Sequence, residues 1–272
     1  MGVKCRIVVS ENCSESAHAD QYDRLFDALP KRIQVVRRKS RLPVEDHFRW
    51  LSGMVETPYM VFLADDDVLV SDFVSRALAL AEAEDHAVVF GPYRAEWKAS
   101  GESRVRSFNY SSRIKFVRLV KFVCRRNDTF VYGLFKTGIL RKGLRELIPL
   151  RILGRRTLTR ITYPPLFSCL LDGSYGHLGG GPVWVSTVDS RKNEAYLSTN
   201  NVLKLVYLVL GEPILAARFI RLAFLNEGVL FAAALSPFVL GMALVEAAGF
   251  ILFAARRFAS LALAHARRRV VG

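Results

Sequence analysis

Three consecutive carboxylates, Asp65, Asp66 and Asp67, end an unbroken apolar run in residues 59–69, YMVFLADDDVL. Neighbouring ionised acids disfavour one another's charge unless a cation or a proton offsets it. Side chains alternate along an extended backbone, so Asp65 and Asp67 can face one way and Asp66 the other. Such a pair suits a hard divalent cation with oxygen ligands, Mg2+ or Mn2+, which keeps positions open for phosphate oxygens. A cation held there would bind a diphosphate and offset the charge that develops as the diphosphate leaves. The plainer reading is an acidic start to a solvated loop, or acids that favour the dipole of the next helix. A calcium loop of the EF-hand type is excluded, because no glycine stands at the sixth place and no glutamate at the twelfth.

The elements that must hold these acids read as an alternation of strands and helices. Short apolar runs at residues 6–9, 32–36, 59–64 and 87–90 predict strands. Helices are expected over residues 20–29 and 44–55, and from a cap at Ser71-Asp72 to about residue 83. This order implies parallel strands with crossover helices, a fold in which ligands bind beyond the carboxyl ends of the strands. Residues 59–64 lack polar alternation, as expected of a central strand covered on both faces.

The 272-residue chain is 51% apolar, too much for disorder, and carries a formal charge of +14. That charge admits nucleic acid, anionic lipid or a phosphorylated substrate as partner. One basic block runs over residues 113–160, and another comprises Arg256, Arg257, Arg267, Arg268 and Arg269. Cys5, Cys13, Cys124 and Cys169 show no metal-ligand spacing and read as reduced thiols of a cytosolic compartment. No basic motif interleaved with aromatics stands out, so no nucleic-acid partner is expected.

In combination, several blocks resemble the family 2 glycosyltransferases. These are residues 8–14, VVSENCS; 32–37, RIQVVR; the acidic run at 59–69; 130–140, FVYGLFKTGIL; and Leu171-Asp-Gly-Ser through 181–185, GPVWV. The resemblance covers about residues 4–198. It implies an α/β protein with the GT-A fold, a Rossmann-like, mostly parallel sheet with flanking helices that takes nucleotide-diphospho-sugars. It also implies a sugar-nucleotide donor, a divalent metal, Mn2+ or Mg2+, and inversion at the anomeric carbon. Asp65 and Asp67 match the family's D-x-D element as metal ligands, with Asp66 inside it. Glu11 stands where the family commonly places an Asp against the nucleotide base. Asn12 and Ser14 share that turn, where ordinary turn chemistry is the simpler role.

Two departures from the family pattern follow. The chain opens where the family's second strand begins, so backbone groups beside residues 6–9 are expected to lie unpaired. A start codon placed too late is one explanation. The family's catalytic base would fall near Thr162, where no carboxylate stands. Asp172 is the nearest acid and the candidate base; Glu96 and Asp128 lack positional support. A hydroxyl acceptor needs its proton removed as it attacks, whereas an already ionised acceptor such as a phosphate does not. His177 is a candidate metal ligand by its place in the same loop. Gly179, Gly180 and Gly181 read as a mobile loop, and Arg191 and Lys192 as a charged turn within reach of a diphosphate.

Composition shifts near residue 199, dividing the chain into a catalytic region, 1–198, and a hydrophobic helical region, 199–272. Residues 201–225 are amphipathic, and 228–255 carry a single charge, Glu246. That segment would extend about 42 Å as a helix, enough to cross a hydrocarbon core of about 30 Å. Basic residues at both ends fit an in-plane hairpin bent at Ser236-Pro237 as well as a single span. Residues 114–126 read as an amphipathic helix with Lys115, Arg118, Lys121 and Arg125 on one side, against the core or against lipid headgroups. The reading is a membrane glycosyltransferase at the cytoplasmic face, with a lipid-linked or surface-glycan acceptor and membrane lipids as partners. The alternative is a catalytically degenerate scaffold of the same fold.

Overall fold

The computed structural model describes residues 5–12, 24, 26–30, 33–64, 67–97, 100–127, 129–152, 155–157, 160–188 and 201–271. Strands β1 (Ile7–Glu11) and β2 (Ile33–Arg37) form a parallel pair. Helix α1 (Val44–Gly53) leads to β3 (Tyr59–Met60), β4 (Asp67–Leu69) and α2 (Phe73–Ala83). Next come β5 (Val88–Phe90), the hairpin β6 (Tyr93–Trp97) and β7 (Ser103–Arg106), and α3 (Lys115–Cys124). A 3-10 turn, Thr129–Tyr132, precedes β8 (Leu134–Lys136) and α4 (Thr137–Leu144). The antiparallel pair β9 (Leu150–Ile152) and β10 (Arg155–Thr157) leads into α5 (Tyr163–Asp172), β11 (Tyr175–His177) and β12 (Trp184–Val188). Two long helices close the chain, α6 (Asn201–Glu227) and α7 (Val229–Val271).

One four-stranded sheet has the order β11-β5-β8-β3 and a second the order β4-β12-β6-β7. Strands β3 and β5 both run antiparallel to β8, and β11 runs parallel to β5, so β3, β5 and β11 point the same way. All three residues of β5 are buried, as a strand covered on both faces requires. Among the described residues β1 pairs with β2 alone, and no strand lies against its other edge.

The expected strand over 59–64 is ladder-bonded for two residues only. Its partner β8 has three residues, and the chain must then cross to the second sheet, where β4 begins at Asp67. The expected cap at Ser71-Asp72 also differs: Asp72 takes the N-cap position without a side-chain cap bond and pairs with Arg76 instead.

Helix α5 is buried from Pro164 to Leu171, and its two prolines sit in the first turn, where their missing N–H groups cost nothing. Phe122 of α3, Phe167 of α5 and Phe219 of α6 pack together, with Phe167 and Phe219 stacked at 4.5 Å. The core therefore runs from the sheets into the C-terminal helices without a boundary at residue 199. The reversal between α6 and α7 falls at Gly228, whose φ of 88° favours glycine. Helix α7 continues through Pro237, so the bend expected at Ser236-Pro237 is not where the hairpin turns.

The basic face expected on α3 is divided. Arg118 is buried and donates from Nε and Nη2 to the Leu170 carbonyl at 3.1 and 3.0 Å, and from Nη1 to the Ser112 carbonyl at 2.8 Å. Lys115 pairs with Glu227 at 2.5 Å. Lys121 and Arg125 stay exposed.

Candidate functional site

The carboxyl ends of β3, β5 and β11 lie at one edge. Arg6 pairs with Glu56 at 2.9 Å, which ties the amino end of β1 to the residues entering β3. At the other end, the Asn12 amide donates to the Leu42 carbonyl and accepts from the Leu42 N–H, both at 3.0 Å. Leu42 precedes Pro43, the N-cap of α1. The segment carrying helix α1 thus starts beside the carboxyl end of β1 and ends beside its amino end. Glu11 accepts the Arg38 N–H on its carbonyl at 3.1 Å. Asn12, Arg41, Leu42, Pro43, Val44 and Arg156 line a cleft of about 460 Å³. Arg156 forms an ion pair with Glu45, whose carboxylate is otherwise buried.

Asp67 opens β4, opposite Ser186 of β12, which lies beside Ala95 of β6. The two-residue period puts Asp67 on the same face as Leu69, Trp184 and Tyr93, away from the exposed Val68. Trp184 is buried against Tyr132 at 4.8 Å and Tyr93 at 5.1 Å, and its indole N–H has no hydrogen-bond partner. Asp65 and Asp66 lie outside the described residues. A carboxylate is the hard oxygen donor that Mg2+ or Mn2+ takes, so Asp67 fits the expected cation. No cluster of three His, Cys, Asp or Glu side chains that could hold a metal occurs among the described residues. Phosphate oxygens would have to complete the coordination.

His177 ends β11 level with Phe90, at the same edge as the acidic run. Its Nε2 lies 3.2 Å from the Ser107 hydroxyl, and its Nδ1 is buried without a hydrogen-bond partner. Burial holds the imidazole pKa below its ordinary value of 6.5, so the ring is neutral at neutral pH. Arg76 donates to the Gly179 carbonyl at 2.5 Å, and Gly180 and Gly181 take φ values of 86° and 103°. The glycine loop is therefore anchored at its first residue to α2.

The sequence profile of glycosyl transferase family 2 matches residues 2–147, more than half of the chain. The chain belongs to this family. Among solved structures, S. aureus TarS 1-349 matches with a TM-score of 0.50 at 12% identity, over 82% of this chain and 63% of that one. Its complex with UDP-GlcNAc gives 0.47 at 12% identity, over 67% and 49%. Its complex with UDP gives 0.48 at 11%, over 89% and 80%. The first match shows a shared GT-A fold. This chain spans less than two-thirds of the length of that TarS chain. No curated protein matches it significantly in sequence.

The family match ends before α5, the helix that carries the candidate base Asp172. Asp172 ends α5 ahead of Ser174, whose carbonyl accepts the N–H groups of Ala87 and Val88 at the amino end of β5. It therefore lies at the edge opposite to the acidic run, and Lys142 pairs with it at 2.6 Å. A carboxylate held by a cation on the far side of the sheet is not placed to take a proton at the family's site. Glu96 pairs with Arg94 at 2.8 Å, and Thr162 is the N-cap of α5. Ser14, Asp128, Arg191 and Lys192 lie outside the described residues. The cleft residues Arg41 and Arg156 were not singled out in the sequence, because isolated arginines in a basic chain carry no spacing signal. Trp184 stood within a quoted family block, but nothing in that block marks its buried indole.

Proposed function

We propose that this family 2 member is a membrane-associated glycosyltransferase that moves a sugar from a nucleotide-diphosphate donor to a lipid-linked or surface-glycan acceptor. The supporting observation is Asp67 at the start of β4, on the face it shares with Trp184, where the chain leaves the carboxyl end of β3. Asp65 and Asp67 would hold the metal ion and Glu11 the nucleotide base, with the Asn12 turn fixing the mouth of the cleft. A bound divalent cation would supply charge neutralisation to the departing nucleoside diphosphate. The acceptor oxygen attacks the anomeric carbon, its bond to the diphosphate breaks, and the configuration inverts. With Asp172 engaged elsewhere, a phosphate-type acceptor, already ionised, suits the site better than a free hydroxyl. The apolar segment Val229–Leu252 supports attachment to the membrane, and the basic residues flanking it favour the cytoplasmic face.

The test supplies the full chain with labelled UDP-, GDP- and CDP-sugars, membranes as acceptor source, and Mn2+ or a chelator. Transfer from one donor class is expected, lost with the chelator and in Asp67→Ala. The ion-paired Asp172 favours one rival, a scaffold without activity. That rival gains if a donor binds and no transfer occurs with any acceptor fraction.

A further inference from the structure

Helices α6 and α7 lie antiparallel, and α7 shows two unlike faces. Ala232, Leu235, Val239 and Ala243 are buried against the protein. The exposed residues between Val229 and Leu252 are all apolar, and at 100° per residue they cover roughly half of the helix circumference. Leu230 is 83% and Leu244 72% exposed. So long an uncharged face is too large for a water-soluble surface.

The inner face decides how that apolar face can meet a bilayer. Phe116 of α3 packs edge-on against Phe231 at 5.7 Å and Phe238 at 5.8 Å. Farther along, Glu246 pairs with Arg160 at 3.2 Å, and the Arg160 guanidinium lies 5.0 Å from the Phe250 ring. Arg160 and Arg126 both pair with the fully buried Glu212 of α6. The candidate span is thus docked sideways along its length on the catalytic region. Setting α7 across a bilayer would draw α3 and this ionic cluster into hydrocarbon, at a high desolvation cost.

A charged rim borders the same face. Phe116, Val117, Val120 and Phe238 floor a groove of about 410 Å³ between α3 and α7, and Lys121 and Arg125 stand at its edge. Phe238 and Val117 are themselves exposed, so the groove and the apolar half of α7 form one surface. Lys121 donates to the Ser111 carbonyl at 2.7 Å, and neither it nor Arg125 has an acidic partner among the described residues. Apolar side chains beside such cations match acyl chains below anionic headgroups.

We infer that α7 lies in the plane of an anionic bilayer, its outer half immersed and the α3–α7 groove at headgroup level, and does not cross it. The inference rests on the membrane attachment proposed above and specifies its geometry. The test uses the full chain with vesicles of phosphatidylcholine alone or with phosphatidylglycerol. Native exposed cysteines are replaced by serine, and an environment-sensitive label is placed at Leu230→Cys, Leu240→Cys or Leu252→Cys. Flotation with the anionic vesicles is expected, with all three labels at one shallow depth. Lys121→Glu with Arg125→Glu should weaken binding about tenfold or more. Binding with Leu240 deep and both ends shallow would overturn the in-plane geometry while leaving membrane attachment intact. No vesicle binding, or a dimer that hides all three labels in water, would overturn both.

Discussion

His177 ends β11 at the edge where the acidic run follows β3. His177 is neutral because its surroundings are poor in solvent, and this sets a pH dependence. The unfolded chain takes up a proton as pH falls through about 6.5, whereas the folded imidazole resists it. Stability is therefore full above that pH and falls below it. His47 is shifted the same way by burial and by Arg38, and adds to the trend. His177→Gln should flatten the decline in Tm between about pH 6.5 and pH 5, measured by calorimetry in parallel with wild type. An unchanged slope would show that His177 is not a contributor. Asn12 carries a different expectation: Asn12→Ala removes two hydrogen bonds to Leu42, at a cost of about 1–3 kcal/mol. It should loosen the cleft and raise the KM for donor more than it lowers kcat.

At the scale of elements, α3 and α5 hold each other through Arg118. Leu170 lies in the last turn of α5, where carbonyls lack intrahelical partners, and the Arg118 guanidinium supplies two donors and a positive charge there. Arg118→Met should destabilise the fold by about 2–3 kcal/mol in urea titration. Arg118→Lys should recover only part of it, since a lysine cannot reproduce the planar fork. Much at this scale was legible in advance. Strands β1, β2 and β5 and helices α1, α2 and α3 follow from apolar period and turn chemistry, and the order of the blocks carried the family. The inward turn of Arg118 was not legible, because helical spacing places it beside Lys115 and Lys121 and only the carbonyl of a distant helix end distinguishes it. Strand β4 was missed for a similar reason. Three acids followed by Val-Leu-Val read as a loop until β12 supplies a ladder from more than a hundred residues away.

For the whole molecule, the shared core and the ionic cluster make the C-terminal helices part of the fold. Arg126 and Arg160 contact Glu212 as ion pairs, Arg126 at 2.9 Å, without the alignment of directed hydrogen bonds. Burial lowers the pKa of both guanidinium groups, yet arginine stays charged, so Glu212→Leu leaves two cations buried without their main counter-charge. It should cost about 3–5 kcal/mol and lower a single unfolding transition rather than split it in two. A base was not legible in the sequence, because no carboxylate stands near Thr162, and only the strand register shows that Asp172, the nearest acid, lies at the other edge of the sheet. The proposed role of Asp67 is to serve a cation shared with a nucleoside diphosphate. Calorimetric titration of UDP, GDP and CDP into the full chain, with and without Mn2+, measures that role. One nucleotide should bind only with Mn2+, and Asp67→Ala should weaken that binding about tenfold or more with the fold intact. Equal binding without the metal, or by Asp67→Ala, would rule out that role for Asp67.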